Sequence, residues 1–132
     1  MRFVILGARI LEGVVFLIFG LNALLHFFNP ALPTGDALTW YGIMAGHHWI
    51  NFVAVVELVG GLLLLVGRFV PLALTLLAPV IVNILLYHAL LWRHGYALAI
   101  VVLVLELFLL GVYWRSFAPL LHPNPEAKTP KL

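Results

Sequence analysis

The chain has no cysteine. Disulfides, thiolate metal sites, iron–sulfur clusters and dithiol redox relays are therefore excluded from it, while the compartment stays open. Charge is nearly as scarce: 9% of the 132 residues are Asp, Glu, Lys or Arg, against 64% hydrophobic. A soluble domain carries about a quarter charged residues. Too little polar surface remains to cover a water-facing globule, and with a mean hydropathy of +1.15 the chain reads as a single-domain integral membrane protein. The formal net charge of +2 gives no reason to expect nucleic acid; the bilayer is the partner that composition implies. Signals for processing are also missing. The first apolar stretch exceeds the roughly 7–15 residues of a signal-peptide core and no small-x-small site follows, so it is expected to remain as a helix. Residue 2 is Arg and no C-terminal cysteine exists, so no lipidation is expected.

What the chain does have is long apolar runs. Four segments, near 4–28, 50–67, 69–92 and 96–115, approach the roughly 20 residues a crossing needs. Pro30 and Pro33 end the first, and "GRFVP" and "RHGY" read as tight turns. "GDALTWYGIMAGHH" (35–48) reads as a short interfacial helix, since Trp and Tyr favour the headgroup level. The tail from Pro119 holds four prolines and is expected to be flexible. Arg2, Arg68, Arg115, Lys128 and Lys131 fall on one side and Arg93 alone on the other. The positive-inside rule then puts both termini in the cytoplasm. The expected fold is all-α: an integral membrane four-helix up-down-up-down bundle over 1–118, an outer loop at 29–49, and a cytoplasmic tail at 119–132.

Ionisable groups inside a bilayer are costly and usually face the bundle interior. The inventory is Arg9, Glu12, Asn22 and His26 on the first span, Glu57 on the second, Asn83 and His88 on the third, and Glu106 on the fourth. Arg9 and Glu12, three apart, read as a structural ion pair at the inner edge. Glu57 shares a stripe with Gly60, Gly61 and Leu64, which marks a close helix contact. Glu106 shares one with Ala99 and Val102. At about 1.5 Å per residue, Glu57 and Glu106 fall near the bilayer centre, and Asn22, His26, Asn83 and His88 in the outer third. Asn22, Asn51 and Asn83 are read as helix bridges as readily as ligands. The adjacent His47 and His48 point about 100° apart, poor geometry for chelation, so no metal site is read there. One intramembrane Arg cannot neutralise three Glu. At least one carboxyl must be protonated, hydrated or bonded to His or Asn, so Glu57, Glu106, Asn22, His26, Asn83 and His88 form the candidate ligand-binding set. Glu57 is expected to face the first or third span, with Asn22, His26 or Asn83 as its partner. No nucleophile–base pair or cofactor motif appears, so no catalytic residue is assigned and an intrinsic enzyme is the least supported reading.

"RILEGVVFLIFGLNALLHF", "VELVGGLLLLVGRFVPLALTLLAPVIVNILLYH" and "VLELFLLGVYWRSFAPLL" resemble the DoxX family of small four-helix membrane proteins, most recognisably in the E-x-x-G-G-x-x-L-L-x-G signature around Glu57. The resemblance implies a multi-pass protein of the bacterial cytoplasmic membrane. It also implies a role near quinone-linked redox chemistry, because the family is named for a membrane subunit associated with a quinone-linked thiosulfate oxidoreductase. Thiol and iron–sulfur chemistry do not carry over, and no bis-histidine haem pattern is present. Three readings stand: an accessory subunit meeting a quinone headgroup and a membrane or periplasmic redox partner; a binding or transport module for a small molecule, lipid or proton; and a structural protein without a ligand. A homo-oligomer is compatible with each.

Overall fold

The computed structural model describes residues 1–128, and every regular element among them is helical. They are α1 (Arg2–Leu25), α2 (Gly35–Gly46), α3 (Trp49–Val66), α4 (Val70–Leu90), α5 (Tyr96–Val112) and the single turn α6 (Trp114–Phe117), followed by a 3₁₀ turn at Ala118–Leu121. α1, α3 and α4 are each long and apolar enough to cross a membrane, and α5 with the segment after it forms a fourth candidate bent by 77°. The helix expected over 96–115 is therefore interrupted. Tyr113 (φ −94°, ψ 16°) leaves helical geometry, and Trp114 and Arg115 turn away from the α5 axis, a placement aromatic and basic residues favour at a membrane–water boundary. Pro119 falls inside the 3₁₀ turn rather than opening an irregular tail, and 122–128 carry no helix or strand. The last part of the expected tail, 129–132, lies outside the described residues.

The helix ends have local causes. α1 stops where His26 turns left-handed (φ 53°). The His26 N–H donates to the Asn22 carbonyl at 2.8 Å, and the Asn22 side-chain oxygen accepts the Phe28 N–H at 2.9 Å. Pro30 and Pro33 then prevent resumption. α3 ends at Gly67 (φ 75°), a conformation that glycine adopts without strain. Pro71 sits in the first turn of α4, where its missing N–H costs nothing.

α1 and α3 form the most extensive interface. Its closeness comes from glycine: a Cβ on Gly61 would stand 2.9 Å from the Gly13 carbonyl oxygen and 3.1 Å from the Leu17 amide nitrogen. Gly60 turns the other way, toward α4, where a Cβ would stand 2.6 Å from Leu77 Cγ. The two glycines read from the sequence as one stripe thus serve two neighbours, α1 and α4. Phe16, Leu64, Leu74, Leu77, Ile81 and Leu109 fill the space between the helices. α2 lies across the loop end of this bundle, its Trp40 ring 5.0 Å from that of Tyr87 on α4. The exterior is dominated by exposed Leu, Val, Ile and Phe, the surface a hydrocarbon solvent requires.

Candidate functional site: buried carboxyls and a loop-end groove

Three carboxyls are buried within the bundle: Glu12 is 0%, Glu106 2% and Glu57 9% exposed. Glu57 packs against α1, its Cβ 3.3 Å from where a Cβ on Gly20 would stand. The partners expected for it are elsewhere. Asn22 spends its side-chain oxygen on the end of α1. His26 is exposed at the same helix end, and Asn83 is exposed on the far face of α4. Among the described residues, no side-chain hydrogen bond reaches Glu57.

The expected Arg9–Glu12 pair does not form. Arg9 donates from Nε to the Leu64 carbonyl at 2.8 Å, and its guanidinium lies directly over Gly67. It therefore caps the last turn of α3, where free carbonyls and the helix dipole favour a cation. Helical side chains lean toward the N-terminus, so Arg9 runs away from Glu12, and Arg preceding Glu is the poorer order for pairing. Glu12 instead meets Glu106 across the α1–α5 seam, close enough for the carboxyls to act on one another. None of the four oxygens reaches hydrogen-bond geometry with any protein group. The ion pair read from the sequence is corrected accordingly: Glu12 belongs with Glu106, not with Arg9. Two bare carboxylates so placed would repel strongly in a low-dielectric core; a proton held between them relieves that repulsion. No third His, Asp or Glu among the described residues joins the pair in a metal-binding arrangement.

At the loop end a groove of about 360 Å³ opens between α4 and α5. Leu85, Ala89, Ala99 and Ile100 line it together with His88, Arg93 and Tyr96, and the surface they present is almost wholly apolar. The His88 ring is held by Nδ1, which donates to the Trp92 carbonyl at 2.9 Å, because a carbonyl can only accept. Nε2 remains for another partner. The side chain of Trp92 stacks near His94, with ring centroids 4.6 Å apart. Ala99 and Glu106 share one face of α5, with buried Val102 between them, so the groove stands two helical turns from the carboxyl pair, about 10 Å along the axis. His47, His48 and Asn51 are exposed near the start of α3 and join neither place.

The family model for DoxX matches residues 4–89. The chain belongs to the DoxX family. The match runs from α1 to the end of α4, so this DoxX member carries Glu12, Glu57 and His88 within it, and Tyr96 and Glu106 beyond it. No curated protein and no solved structure matches the chain. Of the candidate set, only His88 lines the groove, while Glu57 and Glu106 lie in the core. Arg93 was legible only as an orientation signal, and Tyr96 only as part of the tight turn "RHGY". The Glu12–Glu106 meeting left one trace in the sequence, the excess of acids over cations in the apolar segments.

Proposed function

We propose that this DoxX member is an accessory membrane subunit of a redox system, and that its loop-end groove receives the headgroup of a quinone-type molecule from the bilayer. One observation carries the reading: in a chain with so few polar groups, His88, Arg93 and Tyr96 stand among the residues that line an almost wholly apolar groove at one end of the bundle. A quinone ring is flat and apolar with two carbonyl acceptors: the aliphatic walls suit its faces, and the lining residues His88, Arg93 and Tyr96 each carry a donor that a carbonyl would draw on. When bound, such a molecule would supply the electron-carrying chemistry; His88 and Tyr96 would hold its carbonyls, and the aliphatic residues would exclude water. In this reading the chain crosses the bacterial cytoplasmic membrane four times with both termini cytoplasmic, so the groove and α2 face the other side, where a membrane or periplasmic redox partner would dock. The basic residues of the terminal end, Arg2, Arg68 and Arg115, support that orientation. Purification in gentle detergent followed by mass analysis of the extracted small molecules tests the proposal. A stoichiometric isoprenoid quinone is expected, and its consistent absence from preparations that keep their lipids would count against it.

A second reading is favoured by a different observation, the four unpartnered oxygens of Glu12 and Glu106. They suit a module that takes up and releases a proton inside the membrane. Proton release on adding a quinone would join the two readings; proton exchange without any quinone would leave the second alone.

A further inference from the structure

The outward face of α4 carries an amide among apolar side chains. The residues packed against α3 and α5 are Val70, Ala73, Leu74, Leu77, Val80 and Ile81, all buried. The opposite face runs through Leu72, Thr75, Pro79, Val82, Asn83 and Leu86, all exposed. Their spacing of three and four residues makes one continuous seam along the helix. Thr75 satisfies its own hydroxyl by donating to the Pro71 carbonyl at 2.8 Å. Pro79 has no N–H, which leaves the Thr75 carbonyl on this face without its helical donor. Asn83 has no hydrogen-bond partner among the described residues. It lies seven residues before the end of α4, about 10 Å inside the helix end. An amide facing hydrocarbon at that depth is unsatisfied on both its donor and its acceptor side.

We propose that this seam of α4 is a self-association surface, occupied by α4 of a second copy of the chain in a two-fold dimer with Asn83 paired to Asn83. The argument for a second copy is chemical. A side-chain amide is donor and acceptor at once, so two of them across a two-fold axis satisfy each other completely. A single amide in a mostly apolar seam also fixes register, because sliding the helices would strand both amides. The flanking Val82 and Leu86, 54% and 52% exposed, supply the apolar contact above and below. The Glu12–Glu106 pair and the loop-end groove lie on other faces, so a dimer formed here leaves both open.

The absence of cysteine makes a clean test. Val82→Cys and Leu86→Cys are made singly, with Val104→Cys and Leu107→Cys on the exposed face of α5 as controls. Each is reconstituted in liposomes at low protein density and oxidised with copper phenanthroline. The seam variants are expected to give a disulfide-linked homodimer and the α5 variants to stay monomeric. Adding Asn83→Leu should lower the cross-linked fraction at limiting protein by about three- to thirtyfold in association constant, the range interhelical polar contacts carry in membranes. Asn83→Gln, which keeps an amide, should restore part of it. Equal cross-linking at all four positions, no cross-linking at the seam, or cross-linking indifferent to Asn83→Leu would each overturn the proposal. A single detergent melting transition in every variant, at the temperature of the parent, confirms that the comparison is between folded chains.

Discussion

Replacing Gly61 by Ala adds one methyl group where the structure leaves no room for it. The new Cβ would stand 2.9 Å from the Gly13 carbonyl oxygen and 3.1 Å from the Leu17 amide nitrogen. Both are backbone atoms of α1, so no side-chain rotation relieves the contact. α1 and α3 must separate by several tenths of an ångström, at the level that positions Glu12 and Glu57. Overpacking of this kind typically costs about 1–3 kcal/mol. Alanine also favours the helix by about 1 kcal/mol over glycine, which masks part of the loss. Gly7→Ala calibrates that gain, because a Cβ there meets nothing within 4 Å. Gly60→Ala should lose stability as well, since a Cβ there would stand 2.6 Å from Cγ of the fully buried Leu77. The assay is reversible unfolding by titration with a denaturing detergent. Gly60→Ala and Gly61→Ala should both be less stable than Gly7→Ala, Gly61→Ala by about 1–3 kcal/mol. Equal stability of Gly61→Ala and Gly7→Ala would refute the close-packed account of this interface.

Three further outcomes follow from the polar groups. Replacing Glu12 and Glu106 together by Leu should be tolerated at least as well as either single change, because each single change leaves one buried carboxyl without the neighbour that would share its proton; a strictly additive cycle in thermal melts would contradict the pairing. Arg9→Ala should cost about 1–2 kcal/mol through loss of the cap on α3, and should add to the effect of Glu12→Gln within about 0.5 kcal/mol, since the two do not pair; a larger coupling would restore the ion pair read from the sequence. For orientation, Thr34→Cys should react with an impermeant maleimide on intact cells and Glu126→Cys only after permeabilisation; the reverse pattern would invert the proposed topology.

Much of this architecture was legible because the membrane leaves few choices. Long apolar runs, the prolines after His26 and the turn at Gly67 each state a local rule that no neighbour can override, so the helices appear within a few residues of where the pattern puts them. The burial of Glu57 beside a glycine face was legible for the same reason. The pairings were not. Arg9 and Glu12 are three apart, and spacing alone makes them partners; only the antiparallel approach of α3 reveals that the end of that helix competes for the guanidinium. Asn22, Asn83 and His88 fall at similar depths but on different faces, and depth cannot tell a cavity from a lipid-facing seam. Asn22 is spent on its own helix end, Asn83 looks outward, and His88 alone turns toward α5. The break at Tyr113 was hidden because Tyr and Trp fit equally well inside the end of a span and along its boundary.

The most direct test of the proposed function is binding of a short-chain quinone to the protein in lipid nanodiscs, followed by quenching of tryptophan fluorescence, to which Trp92 beside His88 should contribute. Saturable quenching is expected at one site per chain. His88→Leu and Tyr96→Phe should each weaken it by about three- to tenfold, the value of one lost hydrogen bond, while Glu57→Gln, which lies away from the groove, should leave it unchanged. Quenching that rises linearly without saturation, or saturable binding indifferent to His88→Leu and Tyr96→Phe, would contradict the assignment of the groove.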